Sequence, residues 1–265
     1  MTTSEAPSIA LLDSGVGGLS IAAGIAALMP GADLDYLADD GFFPYGDKPE
    51  PALIARVAAV ADALVARTRA GLLVVACNTA STVALPALRQ RLAIPVVGVV
   101  PAIKPAASLS RRRIIGVLGT AGTARRRYLQ ALIDEFAHDC TVLRLGSAEL
   151  VALAERHAFG PPPPVTALRA ILAPLFERPP EARPDVLVLA CTHFPLLRDS
   201  IAQAVPAGVT LVDSGAAVAE RVRTLLPSAG LGDGRRRLFL TDGHGAARPG
   251  YARSGFGTAE RLGLA

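Results

Sequence analysis

Two stretches of this chain, 114 positions apart, share one pattern, in which four aliphatic residues run directly into a cysteine. The first stretch is Leu73–Thr79 and the second is Leu187–His193. In each, a hydroxyl or amide side chain follows the thiol, and a helix-like segment that carries a proline comes next. An aliphatic run that ends abruptly in small polar residues is typical of a buried strand. Both thiols are therefore predicted at strand ends. They could form two half-sites that act on opposite faces of one carbon atom.

Further aliphatic runs alternate with helical patterns along the chain. Ile9–Leu12, Leu34–Ala38 and Pro95–Val100 resemble buried strands, and residues 51–69 repeat apolar side chains at helical spacing. Strands that alternate with helices at this spacing predict a parallel, doubly wound sheet.

The pattern breaks at Pro101–Pro105 and restarts at Arg113–Leu118, which indicates a crossing between domains. Asp13 and Cys77 are 64 residues apart, and Thr120 and Cys191 are 71 apart, so the two halves match in length as well as in motif. This favours an internal duplication. We therefore expect an α/β protein of two similar doubly wound parallel-sheet domains with pseudo-two-fold symmetry and the active site in the cleft between them. The first domain is predicted to comprise residues 1–99 plus 210–265, and the second residues 100–209.

Composition narrows the class of protein. A chain of 265 residues can bury a sizeable core, and although 51% of it is hydrophobic, no apolar run reaches the length of a membrane span. The first residues lack the basic and apolar regions of a secretory signal. Three cysteines are a poor disulfide framework and favour free thiols. We expect a soluble, cytoplasmic protein.

The net charge of +4 comes partly from three arginine triplets, at residues 111–113, 125–127 and 235–237. Nucleic-acid binding is disfavoured, because the triplets are scattered and lack interleaved aromatic residues. Solvated faces or a site for a small anion are the favoured interpretations.

The glycine-rich turn at Asp13–Gly18 follows the first predicted strand. It resembles a dinucleotide fingerprint, but Ser20 stands where that fingerprint needs its third glycine, and Asp13 is unfavourable next to a pyrophosphate. The alternative is a turn that presents the Asp13 carboxylate and the Ser14 hydroxyl to a small polar ligand. Asp13 could also be present only to cap this turn, in which case it would not bind a ligand.

The paired thiols suggest acid/base chemistry. Backbone N–H groups at a helix N-terminus favour the thiolate, so one cysteine could remove a proton from a Cα while the other returns one from the opposite side. His193 and Asp13 are candidates to assist Cys191 and Cys77. The alternative is a pair of inert core cysteines, which is our interpretation of Cys140.

Two other reactions are weighed against this one. A Cys–His hydrolase would use Cys191 and His193 but leaves Cys77 unexplained. A pyridoxal route needs a Schiff-base lysine, and the only lysines, Lys48 and Lys104, lie in proline-flanked segments without a phosphate cradle.

Taken together and in order, five motifs make the chain resemble the glutamate racemases of the cofactor-independent Asp/Glu racemase superfamily along nearly its whole length. They are Leu12–Leu19, Phe43–Gly46, Ala76–Ser81, Gly116–Thr120 and Ala190–Leu197.

The resemblance implies an isomerase that exchanges L- and D-glutamate without a cofactor or metal and supplies D-glutamate for peptidoglycan. It implies that Cys77 and Cys191 are the acid/base thiols, assisted by Asp13, His193 and Glu155, with Glu149 as a competitor for the last role. Phe42 replaces the polar or basic residue of many members. The residues implied to hold glutamate are Asp13, Ser14, Tyr45, Gly46, Asn78, Thr79, Thr192 and His193.

Residues Gly98–Pro105 resemble the subgroup activated by the peptidoglycan precursor UDP-N-acetylmuramoyl-L-alanine. Such an activator is expected near this crossing and the arginines at 111–113. The rival functions are another racemase of the superfamily, acting on aspartate, and a non-catalytic anion-binding protein. The sequence does not distinguish a monomer from a homodimer.

Overall fold

The computed structural model describes residues 7–125, 127–226, 232–243, 245–246 and 248–264. Strands and helices alternate along these residues. The strands are β1 Ile9–Asp13, β2 Leu34–Ala38, β3 Leu72–Val75, β4 Val96–Gly98, β5 Ile114–Gly119, β6 Thr141–Gly146, β7 Val186–Leu189, β8 Thr210–Val212, β9 Arg236–Leu240, β10 Gly245–Ala246 and β11 Thr258–Arg261. The helices are α1 Leu19–Leu28, α2 Glu50–Thr68, α3 Asn78–Arg91, α4 Ile103–Leu109, α5 Ala121–Arg125, α6 Arg127–Phe136, α7 Ala148–Phe159, α8 Val165–Phe176, α9 Arg198–Ala204, α10 Gly215–Leu225 and α11 Pro249–Arg253.

The chain forms two compact units, each with its own sheet. The first unit runs to Val99 and resumes at Gly215, and the second comprises Val100–Ser214. Within the described residues, the first sheet has the strand order β10-β11-β9-β2-β1-β3-β4 and the second has the order β6-β5-β7-β8. Apart from the antiparallel pair of β10 and β11, every pairing in these orders is parallel.

The two units repeat one topology. In the first, β1 lies between β2 and β3, with β4 beyond β3; in the second, β5 lies between β6 and β7, with β8 beyond β7. The predicted α/β class with two parallel sheets is confirmed. The shared order also supports the duplication inferred from the repeated thiol motif.

Burial on both faces explains the aliphatic runs. All five residues of β1 and all four of β3 are buried, as expected of central strands in a sheet covered by helices. Helix α2 covers the first sheet with one apolar stripe, in which Leu53, Val57 and Leu64 are fully buried. In the described part of the chain, no helix is long and apolar enough to cross a membrane.

The domain boundary differs from the prediction in one place. The sequence predicts that the first domain resumes at residue 210, so residues 210–212 were expected in the first sheet. In the structure they form β8, which pairs with β7 of the second sheet, and the chain returns to the first unit only at Gly215. The second unit therefore extends to Ser214, beyond the predicted end at residue 209.

The C-terminal segment completes the sheet of the first unit. Strand β9 inserts between β2 and β11, in parallel with both. Phe239 of β9 is fully buried in the first unit's core. The arginines before it are used within the unit, since Arg237 makes a two-bond pair with the buried Asp35, and Arg235 pairs with Asp33. This triplet is therefore structural.

Candidate functional site

The first half-site lies at the carboxyl ends of β1, β2 and β3. Cys77 is separated from the end of β3 by one residue, Ala76; it has an extended conformation and is the N-cap residue of α3. The amide of Ala76 donates to the carbonyl of Leu12 at 2.8 Å, which joins the end of β3 to the end of β1, where Asp13 stands. Asp13 therefore ends one strand and Cys77 follows the adjacent parallel strand, as ligand-binding residues of such sheets do.

The Asp13 carboxylate organises the glycine-rich turn. Asp13 is fully buried, and its Oδ2 accepts hydrogen bonds from the amides of Gly15 at 3.3 Å and Gly18 at 3.0 Å. A Cβ at position 18 would lie 2.8 Å from the Tyr36 hydroxyl and 3.0 Å from the Asp13 Cβ, so only glycine fits there. Asp13 thus caps the turn, which is one of the two interpretations that the sequence offered.

The segment Phe43–Gly46 is fixed through a tyrosine that points inward. Tyr45 is 1% exposed, and its hydroxyl donates to Oδ2 of Asp39 at 2.8 Å. Burial raises the pKa of Tyr45 well above its usual value, and the negative charge of Asp39 raises it further. Tyr45 is therefore a neutral hydrogen-bond donor whose hydroxyl is engaged by the protein.

Helix α3 begins with the two polar residues of the first cysteine motif. Asn78 and Thr79 are both buried, and they occupy the first turn, where backbone N–H groups have no acceptor within the helix. The side-chain oxygen of Asn78 is also buried without a hydrogen-bond partner in the part of the chain that the structure describes. A buried acceptor of this kind suits a donor group on a ligand.

The second half-site is built around Cys191, which follows the end of β7. Its Sγ lies 3.8 Å from Nδ1 of His193, and Nε2 of His193 lies 2.8 Å from Oε1 of Glu155 on α7. Cys191, Thr192 and His193 are all buried. Glu155, predicted only through the resemblance, thus contacts the histidine, whereas Glu149 lies exposed in the first turn of α7.

The surroundings of Cys191 correct one sequence expectation. A helix was predicted directly after the thiol, as after Cys77. Instead a short 3-10 turn at Phe194–Leu197 follows, and α9 begins only at Arg198. Pro195, the second residue of that turn, cannot donate a backbone hydrogen bond. A helix N-terminus therefore accompanies Cys77, while an imidazole accompanies Cys191.

The structure also shows the surroundings of Cys140 and Phe42. Cys140, expected in the core, is only partly buried at the edge of the second unit's core, with its Sγ 3.7 Å from Asp139. Phe42 packs against the first unit's core and contacts the charged groups of Lys48 and Arg56 with its ring. The remaining predicted binding residues, Ser14 and Gly46, lie with the first half-site on the turn after β1 and on the Phe43–Gly46 segment.

Sequence reasoning missed three residues of the first half-site: Asp39, Arg56 and Thr241. Asp39 directly follows β2, so the rule that identified Asp13 and Cys77 at strand ends could have found it. Arg56 lies within an amphipathic helix, and Thr241 lies just after β9 in the C-terminal segment. Nothing local in the sequence marks either residue.

Comparisons with known proteins agree on one family. The family model for Asp/Glu/Hydantoin racemase matches residues 21–222. A glutamate racemase of Klebsiella pneumoniae is 46% identical over 264 residues, which cover 97% of this chain and 93% of the relative.

Among solved structures, Escherichia coli glutamate racemase in complex with L-glutamate and the activator UDP-MurNAc-Ala superposes with a TM-score of 0.89. It is 45% identical, with 98% of this chain and 99% of that chain covered. A glutamate racemase isoform of Bacillus anthracis gives a TM-score of 0.78 at 28% identity, with 97% and 98% covered. The likeness therefore extends over both units.

The raised pKa of Tyr45 predicts a specific weakness at alkaline pH. The folded chain holds the Tyr45 proton more tightly than the unfolded chain does, so the free energy of unfolding should fall as pH rises above about 10. Tyr45→Phe should show a shallower fall, although it is less stable at neutral pH by about 1.5–3 kcal/mol, because it lacks the hydrogen bond to a charged partner. Urea unfolding at a series of pH values, followed by circular dichroism, measures both effects.

Tyr128→Phe, at a 36% exposed position, is the control for this experiment, and its stability should change with pH as that of the parent protein does. If the stability of Tyr45→Phe changed with pH as steeply as that of the parent protein, the raised pKa of Tyr45 would be contradicted.

Proposed function

Because the chain belongs to the Asp/Glu/Hydantoin racemase family, and within it to the glutamate racemases, it is an isomerase, and we propose that Cys77 and Cys191 are its paired acid and base. One thiolate removes the α-proton of glutamate and becomes a thiol. The other thiol delivers its proton to the opposite face of the same carbon and becomes a thiolate. The reverse reaction exchanges the two roles, so the stereocentre inverts without net gain or loss of protons.

The observation that carries this proposal is the equivalence of the two thiols in the fold. Each follows the strand next to the central one, β3 beside β1 in one unit and β7 beside β5 in the other. Each is buried, with 7% exposure for Cys77 and 5% for Cys191. Duplication of a strand-end thiol is difficult to explain by packing alone, whereas a reaction that needs two proton carriers requires both.

The second half-site has the geometry of an assisted thiol. If the Nε2–H of His193 donates to the Glu155 carboxylate, Nδ1 carries the lone pair that faces Cys191. That nitrogen can accept the thiol proton and form an imidazolium, which the adjacent carboxylate stabilises. We propose that Glu155 fixes the tautomer of His193 and that His193 assists Cys191.

The first half-site offers a carboxylate in the same role. Asp13 is held by the amides of Gly15 and Gly18 and ends the strand beside the one that leads to Cys77. We propose that it assists proton transfer at Cys77. It therefore serves as the partner of this thiol, as His193 serves Cys191.

The polar groups around the thiols suit an amino acid. The backbone N–H groups at the start of α3 attract a carboxylate, and the Asn78 side-chain oxygen can accept from an ammonium group. We propose that glutamate is held by these and the other residues implied at the outset, which are Asp13, Ser14, Tyr45, Gly46, Thr79, Thr192 and His193. Since the hydroxyl of Tyr45 is bonded to Asp39, its contribution would come from its backbone.

The decisive experiment is racemisation of L-glutamate in deuterated buffer without added cofactor. Loss of optical rotation with deuterium at Cα is expected, and Cys77→Ala and Cys191→Ala should each lose at least about 100-fold in rate, since each removes an acid/base group. Cys140→Ala is the matched control and should retain activity. A rate close to that of the parent protein in either Cys77→Ala or Cys191→Ala would overturn the mechanism. Racemisation of aspartate but not glutamate would keep the mechanism and overturn the substrate.

The contact between Glu155 and His193 predicts a second result. Glu155→Gln replaces a charged acceptor with a neutral one, so kcat should fall by about 10- to 100-fold. The primary isotope effect should rise for the one enantiomer whose α-deuterium Cys191 removes. Glu149→Gln, on the same helix but exposed, is the control and should behave like the parent. Equal effects of the two substitutions would remove Glu155 from this role.

We also propose regulation by a peptidoglycan precursor and a role in supplying D-glutamate for peptidoglycan in the cytoplasm, where thiols stay reduced. The support is the Escherichia coli relative, whose structure contains the activator UDP-MurNAc-Ala. The sequence interpretation placed such an activator near helix α4 and the arginines at 111–113. Arg111 and Arg112 are exposed beside a cavity of about 390 Å³ in the second unit, whereas Arg113 pairs with Asp139.

Addition of the precursor is expected to raise the turnover of L-glutamate by this chain. A double substitution of Arg111 and Arg112 to alanine should reduce that activation, because it removes two cations that could bind the diphosphate. Arg253→Ala in the first unit is the control. Unchanged turnover on addition of the precursor would refute the proposed regulation.

A further inference from the structure

The carboxylate of Asp39 accepts hydrogen bonds from three side chains, those of Tyr45, Arg56 and Thr241. It is fully buried at the end of β2, and its own amide donates to the carbonyl of Asp13 at 2.8 Å. Oδ1 accepts from Nη2 of Arg56 at 2.6 Å and from the hydroxyl of Thr241 at 2.7 Å. Oδ2 accepts from Nε of Arg56 at 2.9 Å and from the hydroxyl of Tyr45 at 2.8 Å.

These four bonds use the acceptor capacity of the carboxylate. A carboxylate has about four lone-pair sites, and all are directed to protein donors here. Asp39 is therefore unsuited to binding a substrate ammonium group directly. Its function is to hold three donors from three parts of the chain in a fixed arrangement, and we call Asp39, Arg56 and Thr241 the Asp39 clamp.

Thr241 reaches this carboxylate from the C-terminal segment, just after β9. Its hydroxyl accepts from the amide of Gly41 at 3.1 Å while it donates to Asp39. The adjacent Asp40 accepts from the amides of Thr241 and Asp242, both at 2.9 Å. The turn after β9 is thus bonded to the segment that leads from β2 to Tyr45. At position 41 a Cβ would lie 3.2 Å from the Thr241 hydroxyl, so the approach is close.

Arg56 reaches the same carboxylate from helix α2. Its guanidinium presents a two-bond fork to Asp39 and lies 5.5 Å from the centre of the Phe42 ring. That ring is also 6.3 Å from the ring of Tyr45. A planar guanidinium provides both contacts at once, which a lysine could not reproduce.

We propose that Arg56 and Thr241 are positioning residues for the substrate, because they hold the Asp39 carboxylate that fixes the Tyr45 side chain and, through it, the Tyr45–Gly46 backbone. The inference rests on the proposed function, in which that backbone contacts glutamate. It assigns a role to the C-terminal segment, which supplies Thr241. The clamp does not touch either thiol in this scheme, so its loss should weaken substrate binding more than it slows proton transfer.

The first test compares Thr241→Val with Thr241→Ser. Valine keeps the shape of the side chain but lacks the hydroxyl, so KM should rise about tenfold for both glutamate enantiomers, the usual effect of losing a hydrogen bond to a charged group. A largely unchanged kcat is expected, as for a loss of uniform binding. Serine keeps the hydroxyl and should restore KM. An unchanged KM in Thr241→Val would overturn the proposal.

The second test separates positioning from stability. Arg56→Met should raise KM, with partial recovery in Arg56→Lys. The matched control is Arg237→Met, which breaks the other two-bond arginine–aspartate pair of the same sheet, with Asp35, at a similarly covered guanidinium. Both methionine variants should unfold at lower urea concentration, but only Arg56→Met should raise KM. An equal rise in both would show a general loss of stability and refute the proposal. If either variant fails to fold, the valine and serine pair decides.

Backbone hydrogen exchange provides a readout that does not depend on activity. The amides of Tyr45 and Gly46 should exchange faster in Thr241→Val than in the parent protein or in Thr241→Ser. If the parent protein does not racemise glutamate, the proposed function fails. Hydrogen exchange then still tests whether the Asp39 clamp holds the Tyr45–Gly46 backbone. Unchanged exchange in Thr241→Val would show that Thr241 does not hold this segment.

Discussion

Parallel pairing of fully buried strands is the constraint on which the rest of this structure depends. The strands β1, β2 and β3 are buried along their whole length and covered on both faces. Apart from Asp35 within β2, which is paired with Arg237, their polar side chains lie at the strand ends or just beyond them. Since parallel strands finish at one edge, the residues that follow them are brought together whatever their distance along the chain. Asp13, Asp39 and Cys77 become neighbours for this reason. The same constraint, repeated in the second unit, sets Cys191 at the end of β7.

Charge inside the first unit is tolerated because every buried carboxylate described there has donors aimed at it. Asp35 and Asp39 are both fully buried on or next to β2, and each receives a two-bond guanidinium. Pairs of this kind gain little net stability over apolar packing, but losing one partner is costly, because the remaining charge stays buried. Arg237 thereby joins β9 to β2 and Arg56 joins α2 to the end of β2. The basic composition of the chain is partly explained by this internal use of arginine.

The parts of the site that local sequence could predict are those that strand ends dictate. Cys77, Cys191 and Asp13 were identified because an aliphatic run stops at each. By contrast, the bond between Thr241 and Asp39 joins residues 202 positions apart, and nothing near either residue records it. The insertion of β9 beside β2, the return of the chain at Gly215 rather than at residue 210, and the 3-10 turn after Cys191 depend likewise on distant contacts. The local sequence pattern cannot predict these features, because it is nearly as compatible with the alternative structures.

The two half-sites share a strand order but support their thiols differently, and the chemistry of racemisation permits this. Cys77 precedes an α-helix and follows the strand next to the one that Asp13 ends, whereas Cys191 contacts His193, which is held by Glu155. The enantiomers of glutamate have equal free energy in water, so kcat/KM must be the same in both directions for any arrangement of acids and bases. Unequal surroundings can only change how that ratio divides between kcat and KM. A duplicated fold could therefore diverge around each thiol while the position of the thiol itself, at the strand end, stayed fixed.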